Sequence, residues 1–283
     1  MDTVIRVFTT DDFDFALAQT TREGWDATAD LFQLCLAHDP DGGFIAEADG
    51  RPIGLVTTIC YRATAWIGHL VVEPACRRRG VGERLMTHAL AHLAGQGIRT
   101  IRLEADPAGI RLYRRLGFVD EWESPRFHRT RSCAPRPGNV ARMTQAALAL
   151  VGPFDAEHFG DDRGRLLSLL FQRANAAYWV RDGGQVRGYA LVARRGGSQP
   201  GVRIGPCVAV DREAAEVLLH AILRDWGRAP IVLGVPGVNA DAIALLTESG
   251  FEQRASCLRM VHGDRVAVGR PERVYAIANG ALG

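Results

Sequence analysis

One order of elements occurs twice in this chain, about 135 residues apart, and any fold must accommodate both copies. In the first copy, Phe44 to Ala48 and Ile53 to Cys60 read as a hairpin about Asp49-Gly50. Ile67 to Val72 is a short apolar run rich in β-branched residues and bounded by Glu73-Pro74, which suits a buried strand. Val81, Leu85, Ala89 and Leu93 then recur at helical spacing, and Gly95 and Gly97 end that helix. Thr100 to Leu103 is a further strand, and Ile110 to Leu116 a short helix closed by Gly117. The second copy repeats the order. Tyr178 to Tyr189 reads strand, turn, strand; Ile204 to Val210 is a strand, Ala214 to Leu223 a helix, Ile231 to Val235 a strand, and Ala244 to Phe251 a helix with its closing glycine. Ile67 recurs as Ile204 and Phe118 as Phe251, separations of 137 and 133 residues. Two copies at nearly constant offset argue for duplication, and 283 residues suffice for two domains of ordinary size.

Outside the repeat, Thr3 to Phe8 reads as a strand, Thr9-Thr10-Asp11-Asp12 offers N-caps for a helix through Gln19, and Ala27 to His38 is a second helix. Val119 to Thr130 is expected to be an antiparallel strand pair closing the first half. The run Ser132 to Asn139 has linker composition, and helical stretches are expected at Ala141 to Leu150 and Arg163 to Asn175. The expected division is a first domain at 1–131, a linker at 132–140 and a second domain at 141–283.

The chemistry of the first copy centres on Arg77-Arg78-Arg79-Gly80-Val81-Gly82. This turn follows a strand and opens a helix. Two glycines let a bulky ligand approach the backbone. The helix start leaves N–H groups without intrahelical partners and carries partial positive charge, so it favours an anion such as phosphate. Three arginines raise the local potential. A second stretch, Leu112-Tyr113-Arg114-Arg115-Leu116-Gly117-Phe118, lies on the next strand–helix unit. Together the two stretches resemble the GNAT acetyltransferase superfamily. Arg77, Gly80 and Gly82 match its R/Q-x-x-G-x-G/A turn; Leu112, Tyr113, Leu116, Gly117 and Phe118 match its LY-x-x-LGF stretch.

The resemblance implies an α/β fold of two tandem GNAT-like domains, each a central, mostly antiparallel mixed sheet flanked by helices. It implies acetyl-CoA as co-substrate, held by Leu70, Val71, Val72, Arg77, Arg78, Arg79, Gly80, Val81, Gly82, Glu83 and Tyr113, with a backbone N–H around Leu70 to Val72 on the acetyl carbonyl. Tyr113 matches the family's usual general acid; a phenol of pKa ~10 is protonated at neutral pH. Two residues compete as base. Glu104 lies opposite in pleat to Ile101 and Leu103, and His69 lies on the strand before the turn. A salt-bridged glutamate and a hydrogen-bonded core histidine are the plainer readings of both. Trp25, Asp26 and Asp30 fall in the helical region resembling the family's acceptor-side lid.

The second copy lacks the turn. Where the first has Arg77 to Gly82, it has Val210-Asp211-Arg212-Glu213-Ala214-Ala215, without glycine and with two carboxylates; Leu246 stands in for Tyr113. The chain thus resembles bacterial two-domain GNAT proteins with one active and one degenerate half. The expected function is transfer of an acetyl group from acetyl-CoA to a primary amine of a small molecule. The alternatives are a non-catalytic acyl-CoA sensor and a protein or peptide N-acetyltransferase.

Composition narrows the partners. A net charge of +2 draws the chain neither to nucleic acid nor to an anionic membrane surface. All 34 basic residues are arginine, which excludes a lysine nucleophile or Schiff base. Six cysteines form no CxxC and no zinc-ligand spacing, so no metal is expected and a reduced, cytoplasmic setting is. The first residues lack a secretory pattern, and no apolar run approaches the ~18 residues of a membrane span.

Overall fold

Strand alternation decides which side of the sheet each helix covers. In the computed structural model, which describes residues 3–130, 140–196, 200–266 and 269–283, the strands are β1 (Val4–Val7), β2 (Gly43–Ala48), β3 (Arg51–Cys60), β4 (Thr64–Val72), β5 (Thr100–Ala105), β6 (Val119–Arg129), β7 (Ala141–Arg142), β8 (Ala176–Asp182), β9 (Gln185–Arg194), β10 (Val202–Ala209), β11 (Ile231–Gly234), β12 (Glu252–Gly263) and β13 (Val274–Ala276). The helices are α1 (Phe13–Arg22), α2 (Ala29–His38), α3 (Val81–Gly95), α4 (Ile110–Arg115), α5 (Leu148–Phe159), α6 (Gly164–Arg173), α7 (Arg212–Trp226) and α8 (Ala240–Glu248). Phe44, Ala46, Val56, Ala65, Ile67, Ile101 and Leu103 form one core with Val81, Leu85, Met86, Ala89 and Leu93 of α3. Ile45, Leu55 and Val71 point the other way, onto Phe8, Ala16 and Phe32 beneath α1 and α2. Each buried Val, Leu or Met of that α3 face contributes roughly 1.5–3 kcal/mol. The second half repeats the scheme, with α7 and α8 over one face and α5 and α6 over the other.

All strands among the described residues join one sheet, in the order β1-β2-β3-β4-β5-β12-β6-β11-β10-β9-β8-β7, with β13 added on β10. The halves exchange their long strands. β12, late in the chain, pairs with β5 of the first half, and β6 pairs with β11 of the second. β12 and β6 run side by side from Glu252↔His128 to Val261↔Val119. The stretch Val119 to Thr130 is therefore one strand, not the expected pair, and its neighbours both come from the other half. The expected helix at Ala141 to Leu150 is also corrected: Ala141–Arg142 is a strand on β8 and the helix runs Leu148–Phe159. The linker run 132–139 lies outside the described residues.

A bulge in β4 reverses its pleat. Thr57 faces Gly68 and Leu55 faces Val71, so His69 and Leu70 together oppose Val56. His69 holds φ 51, an uncommon value for a non-glycine residue. Ala65 and Ile67 face α3, and plain alternation would send Val71 there too; instead it joins the core under α1 and α2. β10 carries the same bulge, with Gly205 and Pro206 opposing Leu191. The structural equivalence is thus Gly68 with Ile204, one residue off the Ile67–Ile204 match suggested by the sequence.

Candidate functional site

The helix start after β4 is open. Gly80, with φ 81, is the N-cap of α3, and no side chain caps the first turn. That left-handed value explains glycine at position 80. Gly82 differs: a Cβ there would meet Leu112 and Val72 at 3.5 and 3.7 Å, ordinary contact. Arg78 and Arg79 are exposed. Arg77 turns back, donating from Nε to the Val72 carbonyl at 2.8 Å and from Nη2 to Glu23, so it braces the end of β4 against α1. Glu83 pairs with Arg115 at the surface.

Beside this turn the sheet splits. β4 pairs in parallel with β5 only from Thr64–Thr100 to Trp66–Arg102. Beyond that point β4 bends away at its bulge while β5 stays on β12. Leu70, Val71 and Val72 line the β4 side of the gap. β10 and β11 split likewise after Arg203–Val232, but β13 fills the gap, pairing Ala276 with Cys207. The Ile277 N–H donates to the Gly234 carbonyl at 2.9 Å, so the segment is tied to both walls. An apolar cavity of about 20 Å³, lined by Cys207, Leu219, Leu246 and Tyr275 among others, lies beside the filled gap. The helix start of α7 is closed as well: Asp211 caps it, accepting from the Ala214 N–H at 2.9 Å and from Arg187. At the bulge, Pro206 replaces Leu70 and has no N–H to offer.

After β13 the chain crosses to the first half. The Trp66 indole donates to the Gly280 carbonyl at 3.0 Å, Tyr61 donates to the Leu282 carbonyl, and Ala281 lies against Gly68 so closely that a Cβ on Gly68 would sit 2.5 Å from it. Residues 279–283 thereby wall one end of the face beneath the β4–β5 split.

The three acid–base candidates occupy different environments. Tyr113, on α4, is 9 % exposed and rests on Phe118. Burial pushes its phenol pKa up, and the nearby Asp106 charge adds to this, so it stays protonated. The Glu104 side chain is 1 % exposed, accepting from Ser124 at 2.9 Å and from Arg126 at 3.2 Å. Burial raises its pKa, opposed by the charges of Arg126 and Arg259. His69 sits in the bulge with Nδ1 2.9 Å from Thr57 Oγ1 and its ring 5.0 Å from that of Phe32. Burial pushes its pKa down to about 4, so it is neutral at physiological pH.

The acceptor-side candidates separate. Trp25 donates from its indole to Asp106 at 3.0 Å, bridging the α1–α2 loop to the end of β5. Asp26 is held by Arg195 and Arg203 of the second half. Burial raises its pKa, but hydrogen bonds and charges from these two arginines outweigh that, and the net shift is downward. Asp30 is exposed in the first turn of α2. Of three residues in the second half's sheet with polar tips or charge, Trp179 and Tyr189 lie in the core under α5 and α6, while Arg203 reaches the first half. Sequence reasoning passed over Ser124, Arg126, Cys257 and Asp106. The alternation Trp122, Ser124, Arg126, His128 along one strand was the available signal. Among the described residues no group of three or more His, Cys, Asp or Glu is placed to hold a metal ion, and no helix is long and apolar enough to cross a membrane.

A bulged strand splitting from its parallel neighbour beside an uncapped, glycine-started helix defines a protein of the acyl-transferase class, and the second half repeats the fold with that groove closed. Residues 7–118 match the acetyltransferase (GNAT) family and residues 151–276 an acetyltransferase (GNAT) domain. The chain belongs to the GNAT acetyltransferases as a tandem member of the family. It is 25 % identical over 276 residues to holothin acyltransferase from a Pseudoalteromonas species, covering 95 % of this chain and 90 % of that protein. It is 39 % identical over 100 residues to mycothiol acetyltransferase from Streptomyces avermitilis, spanning 33 % of this chain and 32 % of that one. An acetyltransferase-like protein from Pyrococcus horikoshii superposes with a TM-score of 0.86 at 28 % identity, covering 99 % of this chain and 96 % of that one. A tandem GNAT protein of clavulanic acid biosynthesis shares the fold at a TM-score of 0.67 and 17 % identity, covering 93 % and 98 %.

Proposed function

We propose that the chain moves an acetyl group from acetyl-CoA, seated in the first half alone, to the primary amine of a small molecule held between the halves on the face under α1 and α2. The observation that carries this reading is the asymmetry of the two grooves. In the first half the helix start is uncapped and the strand gap carries no paired strand among the described residues. In the second, Asp211, β13 and Pro206 occupy or remove each corresponding feature. Pyrophosphate would rest on the α3 start, pantetheine in the β4–β5 gap, and the acetyl oxygen against a backbone N–H at the bulge.

Glu104 is the better base of the two candidates. Its raised pKa moves it toward the amine's, whereas His69 at about 4 is a weak acceptor. The amine nitrogen bonds to the acetyl carbon as the C–S bond breaks. The ammonium proton ends on Glu104, directly or through a water, and the Tyr113 phenol proton passes to the departing sulfur. The products are an amide and free thiol, and proton return from Glu104 to Tyr113 restores both groups. Coverage of the acceptor face by α1, α2 and residues 279–283 argues against an extended peptide acceptor. The names of holothin acyltransferase and of a rice serotonin N-acetyltransferase 34 % identical over 92 residues agree with a small acceptor. The test is thiol release from acetyl-CoA across a panel of small amines and peptides, with calorimetric stoichiometry. Tight coenzyme binding without amine-dependent release would favour the sensor reading, and two sites per chain would refute the asymmetry.

A further inference from the structure

Both oxygens of the Glu104 carboxylate are held from one strand, two places away in the sheet. Oε1 accepts from Ser124 Oγ at 2.9 Å and Oε2 from Arg126 Nη2 at 3.2 Å, and both donors stand on β6. β12 runs between β5 and β6, where Arg259 lies opposite both Glu104 and Trp122. Opposite Ser124 and Arg126 it carries only Cys257 and Ala255. Directly opposed residues share a face of the sheet, so these small side chains leave room for the β6 donors to reach across β12.

The second half sets the pose of Arg126. This residue lies opposite Gly234 of β11, and its arm crosses that glycine. A Cβ on Gly234 would fall 3.1 Å from Cδ, 3.0 Å from Cζ and 1.9 Å from Nη1, so a larger residue there displaces the guanidinium. On its other edge, a Cβ on Gly280 would fall 3.1 Å from Nη2, the nitrogen that reaches Glu104. The head is thus enclosed between two glycines and paired with Glu104. Burial lowers the Arg126 pKa, but Glu104, Cys257 and Asp106 outweigh it, so the guanidinium stays charged.

We infer that Ser124 and Arg126 are positioning residues for Glu104, and that the second half, through Gly234, holds Arg126 against the base of the first. This rests on the reading of Glu104 as the base. A carboxylate that takes an ammonium proton needs a fixed direction, and a pKa raised toward the working pH but not beyond it. Burial raises the Glu104 pKa, while the charges of Arg126 and Arg259 and the Ser124 hydrogen bond restrain the rise. The groups facing it are Ser124 and Arg126 from β6, Arg259 and Cys257 from β12, and Asp106 beyond the end of β5; Gly280 brings no charge. Removing a restraint moves the midpoint upward.

The experiment titrates the full chain by NMR, with glutamate isotope-labelled at the side-chain carboxyl. The resonance lost in Glu104→Gln identifies Glu104, and no acceptor is needed. Arg126→Gln should raise the Glu104 midpoint by about one pH unit or more, the range for losing a neighbouring opposite charge. Ser124→Ala should raise it less, and Arg126→Lys should return most of the Arg126→Gln shift. Gly234→Ala, in the other half, should act as Arg126→Gln does. The acid limb of kcat/KM should move with the midpoint for any amine that the thiol-release panel shows to be acetylated. The amine's own pKa is common to all variants, so a difference between variants belongs to the protein. A midpoint unmoved in Arg126→Gln and Ser124→Ala, or moved in Arg126→Gln but not in Gly234→Ala, overturns the inference. Should Arg126→Gln and Gly234→Ala melt far below the parent protein, Ser124→Ala decides by the same criterion. A midpoint that moves while the acid limb stays in place would instead remove Glu104 from the base role, the reading beneath the inference.

Discussion

Replacing Asp26 with asparagine separates a lock between the halves from a contact to the acceptor. The carboxylate is 10 % exposed and accepts from Arg195 Nε at 2.9 Å, with further bonds from Arg195 and Arg203; the two arginine side chains are 7 % and 24 % exposed. The amide would keep the shape but take from two largely buried guanidinia the carboxylate they share. Breaking a buried pair in this way costs about 3–5 kcal/mol, and partial exposure of Arg203 points to the lower end. At roughly 2–4 °C per kcal/mol for a chain of this size, Asp26→Asn should melt about 6–12 °C lower at pH 7. The pH dependence follows from the direction of the shift. The folded pKa of Asp26 lies below its unfolded value of ~3.9, so its stabilisation is complete above that value and is lost as pH falls through the folded pKa. The gap between parent and variant should stay constant from about pH 5 upward and close in stronger acid. Scanning calorimetry across pH is the assay. A melting point within 2 °C of the parent at pH 7, together with a raised KM for the amine, would falsify the lock and return Asp26 to the acceptor site.

Gly80→Asp keeps a residue type that tolerates φ 81 but puts a carboxylate at the proposed phosphate site; it should weaken acetyl-CoA by at least ~2 kcal/mol, about 30-fold in Kd by calorimetry. Gly82→Ala should cost far less there, since its Cβ meets only ordinary contacts, and it should gain a little helix stability. Tyr113→Phe should lower kcat about 10- to 1000-fold with coenzyme affinity little changed; unchanged kcat when chemistry limits turnover would remove the phenol from the acid role. In the parent enzyme kcat/KM should fall on the acid side as Glu104, faced by Arg126, Arg259, Ser124 and Asp106, takes up a proton at a pKa above the ordinary carboxylate value. Glu104→Gln should lower kcat about 100-fold or more and abolish that limb; a limb that persists belongs to another group.

Local pattern carried the repeat, the turn and most helices into view, because each depends on spacing within a dozen residues. Val81, Leu85, Ala89 and Leu93 bury as their spacing dictates. The exchange of β6 and β12 was not legible. Which distant strand sits beside Val119–Arg129 depends on sheet order, and hairpin logic assigns such a strand to its own half. The β4 bulge was hidden for a related reason. It inserts one residue into the pleat, so the alternation of Ala65 and Ile67 gives no warning that Val71 will face the opposite side. Around the proposed site, the sequence showed where Tyr113 and the Gly80 turn fall in the fold, and the pleat showed that Glu104 faces away from Ile101 and Leu103. Arg126 was not legible, since its meaning lies in two glycines and a glutamate far away in sequence: Gly234, Gly280 and Glu104.

Residues 274–283 link the closed groove to the open one. Val274–Ala276 fills the β10–β11 gap, and the segment then reaches Trp66, Gly68 and Glu104 within a few residues. A coenzyme entering the second gap would have to displace β13, and with it the segment that lies against Trp66 and Gly68 on the face proposed for the acceptor. Restoring an uncapped helix start with Asp211→Gly would therefore not create a second binding site, because the gap below it stays filled. It also gives the second half a physical reason to remain on the chain. Its sheet supplies β11 and β12 as neighbours for β6, its arginines neutralise Asp26, and the segment after β13 reaches the face proposed for the acceptor. A half that no longer needs an open groove can use that groove to anchor a segment serving the other.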